Sequence, residues 1–189
     1  MKLKSFMVLL ALIATPAAAQ DAVEEKAAPC SACHGGDGVP TQPDTPLIWG
    51  QHAEYLRNQL TDYKSRRRKH DVMNAMVAAL EEEDLQALAE YFSKKPWPRI
   101  PFAASEADRK AADAMASSGL CAQCHLIGFA GGGATPRISG QNALYLENTL
   151  LDFKSRKRRS NPAKSSLLSA YSKDDIKAMA RYLAGLAPE

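Results

Sequence analysis

Apolar residues recur along this chain at the spacing of amphipathic helices. Two stripes repeat at i, i+3 and i+4, and both combine aromatic, leucine and uncharged polar residues: Tyr55, Leu56, Gln59, Leu60 and Tyr63, and later Tyr145, Leu146, Thr149, Leu150 and Phe153. A further stripe follows Glu82 and consists of Leu85, Leu88, Ala89 and Phe92. Its counterpart follows Ser172, which forms a near capping box with Asp175 three residues on. The alternation typical of a half-buried strand is almost missing, so the pattern predicts an all-α protein.

The sequence matches itself when it is displaced by 90 or 91 residues. The segment from Pro46 to Gln51 matches that from Pro136 to Gln141, and the apolar stripes fall in register. A repeat of this length that occurs twice indicates tandem domains, each with about three helices. We expect the first helix of each half to begin near Ala22 and near Glu106 and to run into the cysteine motif. Three prolines between residues 96 and 101 cannot continue a helix and mark an extended connector. We therefore expect one domain at residues 20–97 and another at 98–189.

The N-terminus has the three-part pattern of a secretory signal peptide. Lys2 and Lys4 precede an apolar run from Phe6 to Ile13, and small residues before Gln20 suit a cleavage site. An uncleaved membrane anchor is the alternative, but the run is shorter than the about 20 residues that span a bilayer. We expect residues 1–19 to be removed and the mature protein to work in the periplasm.

All four cysteines of the chain belong to two Cys-x-x-Cys-His motifs: Cys30, Cys33 and His34, and Cys121, Cys124 and His125. On a helix, such thiols lie one turn apart and form thioethers with a haem, while the histidine binds the iron. A dithiol redox pair, a disulfide framework and a zinc site are the alternatives, although structural zinc usually takes ligands from two separated pairs. Two copies that use every cysteine favour two covalent haem c groups.

The charge of the chain is nearly balanced. Without Lys2 and Lys4 of the predicted signal peptide, 22 of the 24 basic residues remain beside 21 acidic residues. Four haem propionates would make the loaded protein acidic. This balance argues against a nucleic-acid-binding protein.

Basic residues are concentrated in two runs that directly follow the first apolar stripe of each half. The runs recur at the displacement of the repeat: Lys64, Arg66, Arg67, Arg68 and Lys69, and Lys154, Arg156, Lys157, Arg158 and Arg159. A solvated face is the ordinary role of such runs. Because the runs recur, we also consider arginines beside the haem propionates and a docking patch for an acidic redox partner. The sequence leaves these three roles open.

Together these motifs resemble the di-haem cytochrome c4 family, within the class I cytochromes c. The resemblance covers nearly all of residues 22–187. It rests on both Cys-x-x-Cys-His motifs, on Gly-Gln-x-x-x-Tyr-Leu at Gly50 and Gly140, and on Met-x-x-Met-x-x-x-Leu from Met73 to Leu80. It implies two tandem class I cytochrome c-like domains, each with one covalent haem.

The resemblance also implies roles for residues outside the cysteine motifs. In the family, the methionine seven residues before the leucine of the last motif binds iron, which corresponds here to Met73 opposite His34 at haem 1. Met76 is the neighbouring alternative. The family further implies that the backbone carbonyls of Pro46 and Pro136 accept hydrogen bonds from the proximal histidines, which orients the rings.

The second half departs from the family at the equivalent ligand position. Alignment of Tyr171 with Leu80 places Lys164, not a methionine, seven residues earlier. Burial and the charge of ferric iron both favour loss of a lysine proton, so we expect Lys164 to bind the iron of haem 2. An open or water-bound iron, or a ligand from a neighbouring loop, is the alternative. Met115 and Met179 are expected to be core residues.

These features favour a periplasmic carrier of single electrons. It would accept electrons from a quinol-oxidising complex or a dehydrogenase and deliver them to a terminal oxidase or reductase. The alternative is a haem enzyme, or the di-haem electron-transfer subunit of a sulfur-compound dehydrogenase that oxidises thiosulfate or sulfide. The haem motifs are accompanied by no acid–base constellation, which favours the carrier. Peripheral association with a membrane is left open.

Overall fold

The computed structural model describes residues 16–118 and 121–187. The α-helices are α1 Pro16–His34, α2 Ala53–Lys64, α3 Asp71–Met76, α4 Glu82–Ser93, α5 Glu106–Ser118, α6 Cys121–His125, α7 Ala143–Lys154, α8 Pro162–Ser169 and α9 Lys173–Ala184. Within the described residues, the strand-like pairing is limited to an isolated bridge between Gly132 and Thr135. The all-α prediction is confirmed. No helix in the described ranges is long and apolar enough to cross a membrane.

Each half contains a short helix that the apolar pattern did not predict. The helix α3 has six residues and α8 has eight, which is too short for an apolar period to be recognised. Both begin at a polar cap: the side chains of His70 and Asn161 accept hydrogen bonds from the third helical residues, Met73 and Lys164. These helices therefore carry the two expected iron ligands.

The first helix starts earlier than the sequence indicated. We expected it to begin near Ala22, whereas α1 begins at Pro16 and passes through the expected cleavage site near Gln20. Alanine is the strongest helix former, and residues 17–19 are all alanine, which explains the longer helix. The rest of the predicted signal peptide, residues 1–15, lies outside the described residues.

The last helix of each half forms the centre of its core. The helix α4 packs against α1 and α2, and α9 packs against α5 and α7. Leu88 and Ala89, predicted from the apolar stripe, are buried on α4, and Ile176 and Ala180 are buried on α9. Removal of such side chains from water is the main stabilising contribution to each half.

Both last helices begin with a reciprocal capping box. In α9 the backbone N–H of Ser172 donates to Asp175 Oδ2 at 2.9 Å, and the N–H of Asp175 donates to Ser172 Oγ at 3.1 Å. Hydrogen bonds from Ser172 lower the pKa of the Asp175 carboxyl. Glu81 and Asp84 form the corresponding box in α4. The expected start of α9 at Ser172 is confirmed.

The two halves meet at a seam where one glutamine from each half binds the backbone of the other. Gln51 Nε2 donates to the carbonyl of Arg137 at 2.9 Å, and Gln51 Oε1 accepts from the Arg137 N–H at 2.9 Å. Gln141 makes the same pair with Leu47, at 3.0 Å and 2.8 Å. Both glutamines are buried. Because buried backbone groups are costly without partners, this exchange holds one half in a defined position against the other.

Removal of these side chains should destabilise the protein. Gln51→Ala and Gln141→Ala each remove two hydrogen bonds between the halves, so each should lower the free energy of unfolding by about 1–3 kcal/mol. Thermal and chemical denaturation of the haem-loaded protein measures the loss. Gln42→Ala, at an exposed position, is the control and should change stability by less than about 0.5 kcal/mol. Wild-type stability in both glutamine variants would contradict the role assigned to Gln51 and Gln141.

Candidate functional site

The first Cys-x-x-Cys-His motif forms the C-terminal end of α1, and the second makes up the whole of α6. The helical spacing puts the two sulfur atoms of a motif one turn apart. Cys30 and Cys121 are half-buried, whereas Cys33 and Cys124 are exposed. Burial raises the pKa of the Cys30 and Cys121 thiols. Each motif thus presents one thiol from the interior and one from the surface.

The histidine of each motif is buried and held through one ring nitrogen. His34 Nδ1 lies 2.8 Å from the carbonyl oxygen of Pro46, and His125 Nδ1 lies 3.0 Å from that of Pro136. A carbonyl only accepts hydrogen bonds, so Nδ1 carries the proton and Nε2 keeps a lone pair. Burial lowers the pKa of both rings, to about 4 for His125, where the charge of Lys164 adds to the effect. Both histidines are therefore neutral and prepared to bind a metal.

A cavity of about 1150 Å³ adjoins the second motif. Cys121, Cys124 and His125 line one part of it. Much of the remaining wall is apolar: Met115, Leu150, Phe153, Leu168, Met179 and Leu183. A large apolar cavity that opens onto two thiols and a neutral histidine suits a flat, mostly apolar macrocycle with a central metal.

A basic pair lies at the cavity: Arg158 lines it, and Arg68 of the other half lies beside Arg158 on a shared partner, Gln59. Arg158 Nη2 donates to Gln59 Oε1 at 2.5 Å, and Arg68 Nη1 donates to the same oxygen at 2.9 Å. Arg68 Nη2 also lies 3.2 Å from the Tyr145 hydroxyl. Across the described ranges, no carboxylate lies within ion-pair distance of either guanidinium. Within the described residues, these two adjacent cations thus meet no carboxylate.

The charge of these arginines affects their neighbours. Burial alone would raise the pKa of Tyr145, but the positive charges of Arg68 and Arg158 lower it to about 7. A largely buried pair of cations is stabilised by an anion brought into the same space. The propionates of a haem supply such anions while its ring fills the apolar part of the cavity. The residues present therefore fit haem c.

The first lysine of each basic run has a structural role. Lys154 Nζ donates to the backbone carbonyls of Leu168, Ser169 and Tyr171, at 3.3, 3.0 and 2.6 Å. Lys64 Nζ donates to the carbonyl of Leu80 in the equivalent place. Cations are favourable at the carboxyl ends of helices, so these lysines stabilise the segments that follow α3 and α8.

Six other members of the basic runs are exposed at the mouth of the cavity: Arg66, Arg67, Lys69, Arg156, Lys157 and Arg159. Each basic run is therefore divided among three environments, which the sequence did not distinguish. The lysine at its start donates to backbone carbonyls at or beyond the end of the short helix, one arginine points into the seam, and three side chains face solvent.

Met73 and Met76 occupy different environments. Met73 is partly buried and packs against the cluster of Tyr63, Val77 and Leu85, whereas the Met76 side chain is 41% exposed. Met73 is the third residue of α3, and its N–H donates to His70 Nδ1 at 3.4 Å. Of the two methionines, Met73 thus faces the interior of the first half.

Lys164 occupies the corresponding position in the second half. It is the third residue of α8, and its N–H donates to Asn161 Oδ1 at 3.0 Å. The side chain lines the same cavity as His125, with Nζ 5.2 Å from the centre of the Phe153 ring. Burial, followed by the charge of Arg158, lowers the pKa of Lys164 to about 8. An amine with this pKa gives up its proton more readily than an exposed lysine.

Several residues that were expected to be core residues also take part in the site. Met115 and Met179 belong to the core cluster of the second half, as expected, but they also line the cavity. Tyr55, Gln59 and Tyr145 were placed in apolar stripes, whereas their polar groups take part in the network around the buried arginines. The glutamine within an apolar stripe was the available signal for this polar contact.

Comparison with known proteins agrees with this geometry. Residues 21–94 match the family model described as cytochrome c. Cytochrome c4 of Azotobacter vinelandii is 34% identical, over 97% of this chain and 98% of the relative. A thiosulfate dehydrogenase electron acceptor of Stutzerimonas stutzeri is 31% identical, over 83% of this chain and 78% of the relative.

The fold is also shared with a solved structure. The crystal structure of reduced recombinant cytochrome c4 from Pseudomonas stutzeri superposes with a TM-score of 0.80 and 29% identity, covering 88% of this chain and 98% of that one. The duplicated helical halves and the two cysteine motifs are thus accounted for together. The chain belongs to the cytochrome c4 family: it is a di-haem c-type cytochrome that transfers electrons to and from protein redox partners.

Proposed function

We propose that this chain carries single electrons in the periplasm, with haem 1 attached at Cys30 and Cys33 and haem 2 at Cys121 and Cys124. The main support is a site that occurs twice. In each copy a helical cysteine pair lies beside a buried, neutral histidine, and the Nδ1–H of that histidine donates to a proline carbonyl. Residues 1–19 would direct export, and residues 20–97 and 98–189 would be the two domains. The donor would be a quinol-oxidising complex or a dehydrogenase, and the acceptor a terminal oxidase or reductase.

The residues of the chain have separable tasks in this function. When bound, the haem iron supplies the one-electron chemistry. The carbonyls of Pro46 and Pro136 keep the histidine rings oriented and their Nε2 atoms available. We propose that Arg68 and Arg158 balance the propionates within the seam. A fixed charge environment of this kind reduces reorganisation when an electron arrives.

The proposed function predicts two covalent haems and two one-electron steps. Mass spectrometry of denatured, acetone-extracted protein should show the mass of two haems, and Cys121→Ala with Cys124→Ala should remove one. A redox titration should take up two electrons per chain, because each iron accepts one. Loss of all haem on extraction would contradict covalent attachment, and loss of reversible reduction would contradict the carrier.

We further propose His34 and Met73 as the axial ligands of haem 1. Met73 is partly buried on α3, while Met76 on the same helix is exposed. A thioether favours ferrous iron and raises the potential of the haem.

Replacement of Met73 should therefore change haem 1, whereas replacement of Met76 should not. Met73→Ala should abolish the far-red thioether charge-transfer band of the ferric protein and lower the potential of haem 1. Met76→Ala, the matched control on the same helix, should change neither. The absorption spectrum and a spectroelectrochemical titration provide both readouts. The reverse result would assign the ligand to Met76.

For haem 2 we propose His125 and Lys164 as axial ligands. Lys164 stands at the position in α8 that Met73 has in α3, and it lines the cavity together with His125. Its lowered pKa makes the free amine accessible. Because an amine favours ferric iron more than a thioether does, haem 2 should have the lower potential.

Magnetic circular dichroism of the ferric protein tests this assignment. Lys164→Ala should remove an amine–histidine signal, and Lys164→Met should raise the potential of haem 2 towards that of haem 1. Lys177→Ala, at an exposed position on α9, is the control and should leave the spectrum unchanged. An unchanged ferric spectrum in Lys164→Ala would exclude this lysine and leave an open iron or another residue as the alternative.

A second candidate function is the electron-transfer subunit of a sulfur-compound dehydrogenase. The similarity to the thiosulfate dehydrogenase electron acceptor of Stutzerimonas stutzeri favours it. The chain would then still carry electrons, but its donor would be a thiosulfate-oxidising protein. Reduction only when such a protein is added would support this role. Reduction of the isolated chain by thiosulfate, or carbon monoxide binding to its ferrous form, would instead indicate an enzyme.

A further inference from the structure

The exposed basic side chains of the two runs come together on one face of the molecule. We refer to them as the seam patch: Arg66, Arg67, Lys69, Arg156, Lys157 and Arg159. The first three follow α2 and the last three follow α7, so they are about 90 residues apart in the chain. All six surround the mouth of the cavity that contains the second cysteine motif.

The seam patch keeps most of its positive charge. Arg67 pairs with Asp62 at 2.8 Å, and Lys157 pairs with Asp152 at 3.4 Å. The described part of the chain provides no ion-pair partner for the other four members. Because the predicted mature chain has 22 basic and 21 acidic residues, the rest of the molecule is net acidic. The charge distribution is therefore strongly one-sided.

Backbone conformation gives a second, independent indication. Arg66 has a φ of 57° and Arg156 a φ of 59°, at the first residue after the C-cap of α2 and of α7. Glycine is the usual residue in this left-handed position because a side chain is strained there. Both halves nevertheless have arginine. Strained residues of this kind cluster at functional sites, so the repeated arginine marks this turn as a candidate site.

We propose that the seam patch is the docking surface for the acidic face of a protein redox partner. This inference rests on the proposed function as an electron carrier and specifies where the partner binds. Complementary charge steers electron-transfer partners into small, short-lived complexes. A partner placed at the seam patch would lie beside the cavity of the Cys121–Cys124 motif, so electrons would pass through this haem first.

The test compares two variants with the same change in net charge. The seam variant replaces Arg66, Lys69, Arg156 and Arg159 by Gln, which removes the four unpaired charges. The control variant replaces four exposed lysines elsewhere by Gln: Lys94, Lys110, Lys173 and Lys177. Each haem-loaded protein is mixed with a reduced, acidic flavodoxin as a surrogate partner. Stopped-flow absorbance then gives the rate of haem reduction as a function of ionic strength.

The seam variant should react about tenfold more slowly than wild type at low ionic strength, and the two rates should converge at high salt. The control variant should stay within about twofold of wild type, because its charges lie away from the docking surface. Equal rates for the seam and control variants would overturn the proposal. Salt-independent rates for the wild type would also overturn it.

Two further measurements separate this result from other causes. Voltammetry of each protein shows whether the haems still exchange electrons reversibly. If they do, equal flavodoxin rates overturn only the docking surface, whereas a wild type without reversible couples overturns the proposed function. Sedimentation with anionic phosphatidylglycerol vesicles tests a membrane as the occupant. Patch-dependent vesicle binding combined with equal flavodoxin rates would assign the seam patch to a lipid surface instead.

A final variant distinguishes docking from folding. Arg66→Gly with Arg156→Gly removes the backbone strain and two charges together. It should melt at the wild-type temperature or higher and still be reduced more slowly by flavodoxin. A lower melting temperature with an unchanged rate would show that these arginines serve the fold, and would overturn the proposal.

Discussion

Two short segments, Pro46–Leu47 and Pro136–Arg137, connect the histidine of each cysteine motif to the opposite half of the molecule. The carbonyl of each proline accepts the hydrogen bond that orients the histidine of its own half. The backbone N–H and C=O of the next residue both form hydrogen bonds with the side-chain amide of a buried glutamine of the other half. The carbonyl that holds each histidine and the seam contact thus belong to adjacent residues. The placement of the halves and the orientation of the two histidines therefore depend on each other.

The basic runs show how one loop geometry can serve several purposes. In both halves the backbone N–H of the buried arginine donates to the carbonyl of an aspartate six residues earlier, at 3.0 Å for Arg68 and 2.9 Å for Arg158. The tight turn sends neighbouring side chains in different directions. One arginine enters the seam and lies over an aromatic ring, and its neighbours stay in solvent. Adjacent residues of one turn thus place one positive charge inside the protein and three positive charges in solvent.

Duplication has preserved the scaffold more closely than the ligands. The caps, the buried glutamines and the basic turns recur in both halves, since each supports the same backbone path. The side chains proposed as the second axial ligands differ: a thioether at Met73 corresponds to an amine at Lys164. Such a difference allows two unequal potentials within one fold, and unequal potentials give electron flow a direction.

The sequence alone determined the fold class, the repeat and the covalent chemistry. Helical periodicity and the Cys-x-x-Cys-His motifs are local signals, so they can be recognised without knowledge of the folded structure. The start of α9 at Ser172 was predictable for the same reason, because a capping box spans only four residues. The proposed ligand positions Met73 and Lys164 came from the resemblance to the cytochrome c4 family, which supplied the spacing to compare.

Only the tertiary structure decided how the basic runs are used. Adjacent residues such as Arg67 and Arg68 look alike in the sequence, and burial of one depends on Gln59 and Tyr145, which come from two different halves. The short helices α3 and α8 likewise carry no recognisable period of their own. Local sequence patterns report the local conformation of the chain. The solvation and partners of a charged group are set by residues brought together from distant parts of it.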